Sequence, residues 1–156
     1  SFEDLTGDIE PKKPVHNPYK KVLEGVKILV IDDNPINLIV AEKTLNRFGA
    51  ITLKALSGDQ GIERFKKESV DLILMDLQMP IMDGFASCLK LKATKSYTKN
   101  SVPVIAYTTF SYEEVKEKTL EAKMDGYIGK PFTQAQVVSS IVNIVTERGI
   151  IDPQTV

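Results

Sequence analysis

From Val26 onward, short apolar runs alternate with longer segments in which apolar residues recur at helical spacing. The runs Lys27–Ile31, Ile51–Ala55, Leu72–Met75, Val104–Tyr107 and Gly126–Ile128 predict five short strands rich in Val, Ile and Leu. The segments that follow them carry helix start signals. Asn34 before Pro35 is an N-cap with proline in the first helical turn. Ser57 with Gln60, Ser111 with Glu114 and Thr133 with Gln136 each match a capping box, and Asp83 can cap a helix beginning near Gly84. Val138, Ile141, Val142 and Val145 form the apolar stripe of a core-facing last helix. Strands alternating with helices imply an α/β fold: a doubly wound, five-stranded parallel sheet with five helices on its two faces.

The first 25 residues break this rhythm. Pro11, Pro14 and Pro18 stand there among Lys12-Lys13 and Lys20-Lys21 without any period, so 1–25 reads as a linker or tail. Residues 26–148 form the expected domain, and 149–156 a C-terminal tail. His16, the only histidine, reads as a solvated tail residue rather than a phosphodonor or ligand. The chain opens on Ser1 rather than Met, which reads as a piece of something longer.

Charge and cysteine content narrow the chemistry. A formal net charge of -1 and a pI near 5.9 offer no basic field for nucleic acid or a membrane surface. Cys88 is the one cysteine, which excludes an internal disulfide and a cysteine-cluster zinc site; among Phe85, Ala86 and Leu89 it reads as a buried thiol. No apolar run reaches the ~20 residues that span a bilayer, and no signal peptide opens the chain. These features point to a cytoplasmic domain, with a membrane-anchored parent left open.

The chemistry sits at the ends of the strands. Leu72-Ile73-Leu74-Met75 is apolar enough for a strand buried on both faces, yet it runs into Asp76, and Pro80 and Asp83-Gly84 then turn the chain. Asp32 and Asp33 end the first strand in the same way. In a doubly wound sheet the first and third strands lie side by side where ligands bind, so the three carboxylates should share one crevice. Like charges at contact raise one another's pKa unless a cation joins them. Lys130, followed by Pro131 at the end of the fifth strand, supplies one positive charge. The sum of -2 suits a divalent cation, and oxygen donors favour Mg²⁺, with Mn²⁺ also possible. Thr108 ends another central strand and can hydrogen-bond an oxyanion. Together these pieces make a phosphoryl site in which Asp76 is the nucleophile, Lys130 and the cation neutralise the oxygens, and Thr108 binds one of them.

From about Val26 to Arg148 the chain resembles the receiver domains of two-component response regulators. The resemblance rests on Ile31-Asp32-Asp33-Asn34, Met75-Asp76-Leu77-Gln78-Met79-Pro80, Asp83-Gly84, Ala106-Tyr107-Thr108 and Gly129-Lys130-Pro131-Phe132. It implies a flavodoxin-like sheet of strand order 2-1-3-4-5, with Asp76 as phosphoacceptor and Asp32 and Asp33 as metal ligands. It further implies the backbone carbonyl of Gln78 as a metal ligand, Lys130 as the phosphoryl contact, and Thr108 with Tyr127 as a switch pair. The donor would be a histidine kinase or a histidine phosphotransfer domain, and dimerisation on phosphorylation is open. Such a domain is a phosphoacceptor switch rather than a turnover enzyme. Asn34-Pro35-Ile36-Asn37 and the Leu-Gln-Met-Pro run look most like receivers of hybrid sensor histidine kinases; a stand-alone single-domain regulator is the alternative.

Two departures from the family's pattern stand out. Thr109-Phe110 replaces the usual small residue after the switch threonine, so access to the phosphoryl group is expected to be narrowed and its loss slow or selective. The stretch from Lys92 to Ser101 is long and polar, leaving the end of the third helix open. More remote readings fit less well. A haloacid-dehalogenase-like phosphatase needs a second acid two residues after its nucleophile, where this chain has Gln78. A flavodoxin-like FMN module would place its phosphate against Asp32-Asp33, and an interaction domain with a dead site would have no reason to keep the whole set. The segment Ser111–Lys123 has few apolar anchors, Val115, Leu120 and Ala122, and is expected to be the weakly held helix through which a switch is read.

Overall fold

In a computed structural model, residues 21–151 are described, and His16 lies outside them. Five strands form one sheet: β1 (Lys27–Ile31), β2 (Ile51–Ala55), β3 (Leu72–Asp76), β4 (Val104–Thr108) and β5 (Gly126–Gly129). All neighbours are parallel, in the order β2-β1-β3-β4-β5. The last three strands each run one residue past their apolar runs. Asp76 and Thr108 are therefore the final paired residues of β3 and β4 rather than the first residues of loops.

Alternation along the strands divides the core in two. Ile28, Val30, Leu72, Leu74, Ile105 and Ile128 face α1 (Pro35–Asn46) and the last helix. Leu29, Ile31, Ile73, Met75 and Val104 face α2 (Gly58–Lys67) and α3 (Gly84–Lys92). A third, smaller cluster of Leu77, Ala106 and Val115 lies beneath α5 (Tyr112–Glu121), with Phe85, Phe110 and Tyr127 against it.

The caps form largely where expected, but only one capping box is complete. Thr133 and Gln136 make both reciprocal bonds. Ser57 accepts from Gln60 N, while the Gln60 side chain accepts from Leu56 N instead of closing the box. Ser111 accepts from Glu114 N, and Asp83 accepts from Ala86 N to start α3. The Lys92–Ser101 stretch contains an additional short helix, α4 (Lys95–Lys99), capped by Thr94; its Tyr97 ring lies 6.5 Å from Phe65. The sheet thus carries one small helix beyond the five expected.

Three further expectations shift. Val22 and Leu23 are buried in the core and Ile150 and Ile151 pack against it, so the packed body reaches into both predicted tails. In α5, Leu120 is exposed, and Val115, Thr119 and Ala122 are the buried residues, the i, i+4, i+7 face. The last helix, α6, starts as Gln134–Gln136, passes through a π-helical segment at Val137–Val142 and ends as Asn143–Glu147. The wider π turn brings Val137 onto the same face as Val142, so the fully buried stripe is Val137, Ile141, Val142 and Val145, while Val138 is only partly buried.

Close packing at the top of β3 depends on Gly84. A Cβ there would lie 2.1 Å from the Asp76 carbonyl oxygen and 2.8 Å from Leu77 Cα, both backbone atoms that cannot step aside. Gly84→Ala is expected to destabilise the fold by about 3 kcal/mol in urea unfolding, the cost of overpacking a rigid contact. Gly25→Ala, at φ +79° in open space, should cost about 1 kcal/mol by backbone strain alone. Equal losses at the two positions would show that α3 does not need its close approach to β3.

Candidate phosphoryl site at the carboxyl ends of the strands

Parallel register assembles the site. Ile31 of β1 pairs with Met75 of β3, so Asp32 and Asp76 stand together one step on; Asp76 pairs with Tyr107, and Thr108 with Gly129 next to Lys130. Asp32 and Asp76 are buried and Asp33 is exposed, and carboxylate oxygens of the three lie within 4.8 Å of one another.

Lys130 reaches into this cluster. Its Nζ is 2.6 Å from Asp32 Oδ2 and 3.0 Å from Asp76 Oδ1, and it lies 4.7 Å from the centroid of the Tyr107 ring. The Lys130–Pro131 peptide is cis. Asp32 Oδ1 accepts from Asn34 N, which occupies its second oxygen. Asp76 Oδ1 also accepts from Gln78 N at 3.3 Å. Asp76 Oδ2 accepts no hydrogen bond among the described residues.

Burial drives the electrostatics. Loss of water pushes the Asp76 carboxyl up to about 6, against the Lys130 hydrogen bond that lowers it and with the Asp32 charge that raises it further. Burial likewise pushes Tyr107 well above the usual phenol range, so it stays neutral beneath Lys130. Away from the site, the Cys88 thiol is pushed up to about 11 by burial and donates to the Ala122 carbonyl, as a structural thiol should.

The surrounding crevice encloses about 480 Å³ and is lined by all three acids, Lys130 and Gln78. Its walls also include Thr109, expected beside the phosphoryl group, and Pro131 next to Lys130, together with Asn37, Val40 and Tyr107, to which sequence reasoning gave no part in the site. The signal for Asn37 and Val40 was their spacing of one and two turns from Asn34 on α1.

Thr108 ends β4, as expected, with its side chain turned to the loop that follows. Its hydroxyl is buried and accepts from Phe110 N at 3.1 Å, and Thr109 rather than Thr108 lines the crevice. Tyr127 converges on the same residue: its hydroxyl donates to the Phe110 carbonyl, and its ring meets Tyr112 edge-on at 5.6 Å. The two expected switch residues thus hold opposite sides of one loop residue, and the Tyr127 ring is already engaged with the cluster under α5.

A parallel sheet with an acid trio and a lysine at its carboxyl ends defines a class of phosphoryl-accepting domain, and comparison with known proteins gives the family. The profile described as "Response regulator receiver domain" matches residues 28–142, and the chain belongs to that family. It is a receiver domain of two-component phosphorelay signalling. It is 33% identical over 155 residues to probable histidine kinase 5 of Oryza sativa subsp. japonica, covering 87% of this chain and 13% of that protein. It is 31% identical over 117 residues to the sensor protein GacS of Pseudomonas syringae pv. syringae, again covering 13% of the relative. The chain therefore spans about an eighth of the length of these curated relatives. Among solved structures, the receiver domain of a sensor histidine kinase from Pseudomonas aeruginosa, with a magnesium ion coordinated in its active site cleft, superposes with a TM-score of 0.67 at 31% identity; the match covers 76% of this chain and 95% of that one. A chemotaxis protein of Vibrio cholerae shares the fold, with a TM-score of 0.70 at 24% identity over 76% of this chain and 98% of that one.

The raised pKa of Asp76 has a consequence for stability. A carboxyl that binds its proton more tightly in the folded state loses stability as pH rises from its unfolded value, near 4, through its folded value of about 6. Without divalent cation, Asp76→Asn should therefore be more stable than the unaltered chain by about 1–3 kcal/mol above pH 7. The gain should shrink steadily below pH 6 and vanish near pH 4. Denaturant unfolding across that range measures it, and a gain independent of pH would exclude the buried charge as its source.

Proposed function

We propose that this domain takes a phosphoryl group from a phosphohistidine onto Asp76, dependent on a divalent cation, and that the Thr108–Tyr127 region reports the change. The observation that carries the reading is the arrangement around Asp76. One oxygen is held by Lys130 and Gln78 N, and the other has no partner among the described residues. That free oxygen is the nucleophile, and the bonds to Oδ1 orient the carboxylate for in-line attack.

The acid trio fits Mg²⁺ by donor type, since three hard carboxylate oxygens within 4.8 Å and an open, water-accessible crevice suit a cation that keeps part of its hydration. Asp32, Asp33, Asp76 and the Gln78 backbone carbonyl would hold it. When bound, the cation neutralises charge on the phosphoryl oxygens and lets a dianionic donor approach three acids. Lys130 supplies the second positive charge and is already positioned by two ion pairs. The magnesium ion in the related Pseudomonas aeruginosa receiver supports the same assignment. Mn²⁺ would serve in its place.

Relatives named as histidine kinases from Oryza sativa, Pseudomonas protegens and Schizosaccharomyces pombe support a parent in which this receiver is joined to a kinase. A histidine kinase or a histidine phosphotransfer domain is then the donor. No helix among the described residues is long and apolar enough to cross a membrane. Gln78 at the crevice rim has no titratable group, which weighs against an aspartyl phosphatase that turns over.

Incubation with acetyl phosphate and Mg²⁺ should add the mass of one phosphoryl group, and Asp76→Asn or excess EDTA should abolish the addition. Uptake that survives either treatment would move the acceptor elsewhere.

The switch makes a second expectation. Phosphorylation replaces a carboxylate by an acyl phosphate with additional acceptor oxygens and charge. If the Thr108 hydroxyl turns to one of those oxygens, Phe110 N loses its acceptor, and the loop tying Tyr127 to α5 must rearrange. Amide exchange in Tyr112–Glu121 should slow on adding beryllofluoride with Mg²⁺, while α1 changes much less. Thr108→Ala should retain phosphoryl uptake but leave the exchange pattern unchanged; an unaltered response in that variant would remove Thr108 from the switch.

A further inference from the structure

Asn34, the N-cap of α1, and Asn37 in its first turn both line the crevice, and of the two only Asn34 has a side-chain hydrogen bond among the described residues. The Asn34 side chain accepts from Ile36 N and caps the helix. Asn37, half-buried and lining the crevice, makes no side-chain hydrogen bond among the described residues. Val40, one turn further, lines the same crevice and is 45% exposed. From Asn34 to Val40 this face of α1 runs about 9 Å at 1.5 Å per residue. The crevice therefore continues well past the acids. Its volume of about 480 Å³ is that of a small-molecule site and exceeds the space of one phosphoryl group and one cation.

The chemistry of the walls changes along that length. At the β1–β3 end they are charged: Asp32, Asp33, Asp76 and Lys130. The wall made by α1 is neutral, with Val40 apolar and Asn37 able to hydrogen-bond; Thr109 and Pro131, from the loops after β4 and β5, line the crevice without adding charge. A flat ring with apolar faces and one polar edge matches such walls. An anionic leaving group gains nothing from them.

We propose that Asn37 positions the imidazole of the phosphohistidine donor, its carboxamide oxygen accepting the N–H of the ring nitrogen that does not carry phosphorus. The inference rests on Asp76 being the phosphoacceptor. In the transfer, an Asp76 oxygen forms the new P–O bond while the P–N bond breaks. The electron pair of that bond returns to the ring nitrogen, and the ring leaves as neutral imidazole, keeping its proton on the other nitrogen. Holding that N–H keeps the ring protonated and in line with the attacking oxygen, which makes it a better leaving group. A neutral amide does this without adding charge to a crevice that already has three acids. Asn37 is thus a specificity-determining residue for nitrogen-linked phosphoryl donors that carry a ring.

The test compares three small donors in the presence of Mg²⁺: phosphoimidazole, phosphoramidate and acetyl phosphate. Uptake at Asp76 is followed by mass in the unaltered chain, Asn37→Ala and Asn37→Leu. Both substitutions should slow uptake from phosphoimidazole by about tenfold, the effect of one lost hydrogen bond, and leave the two ringless donors within about twofold. Asn37→Leu keeps the side-chain bulk, so a loss shared by both variants reports the hydrogen bond rather than packing. Equal slowing with all three donors, or unchanged rates with phosphoimidazole, overturns the role of Asn37 while uptake from acetyl phosphate in the unaltered chain still supports the acceptor. Absence of uptake from every donor in the unaltered chain overturns both.

Discussion

The upper end of this molecule depends on one buried ammonium. Lys130 lies between Asp32 and Asp76, and without it two buried carboxylates would face each other uncompensated. Buried ion pairs of this kind contribute little net stability, because desolvation offsets the attraction, yet losing one partner is costly. The arrangement is therefore best understood as a site held in tension. One cation is too few for three acids, burial already pushes Asp76 up to about 6, and the site favours whatever brings further positive charge. A divalent cation relieves the excess, and a phosphoryl group can then enter where anions were crowded.

The fold creates that tension through register and close approach. Parallel pairing sets the ends of β1, β3, β4 and β5 side by side, so residues far apart in sequence meet without any dedicated loop. Gly84 lets α3 start directly against the backbone at the end of β3, beside the Asp76 carbonyl oxygen. On the far side of the same strands, Phe110 joins site and surface: its N–H is held by Thr108 and its carbonyl by Tyr127. Site chemistry and the α5 surface thus share one peptide segment, which is how a change of charge in a rigid sheet can be felt at its edge.

The alternation of apolar runs and capped helical segments determined the α/β class and the strand positions: β1, β3 and β4, buried on both faces, leave clear apolar runs, while the partly exposed edge strands β2 and β5 were marked by their place in that alternation. The acids and lysine were equally legible, since charge at the end of such a run has no packing explanation. Strand order followed from the resemblance rather than from any local pattern. What the chain could not show were features set by relations between elements. Whether Leu120 or Thr119 turns inward, and whether Val137 or Val138 joins the last stripe, depends on helix rotation, which a π-helical segment changes without changing composition. Val22 and Leu23 looked like tail because their partners, among them residues of α1 and β1, lie later in the chain. The direction of the Thr108 hydroxyl and the place of the Asn37 carboxamide in the crevice wall are likewise products of assembly. A side chain's hydrogen-bond partner is chosen by whatever the fold brings within about 3 Å, and sequence carries no record of that distance.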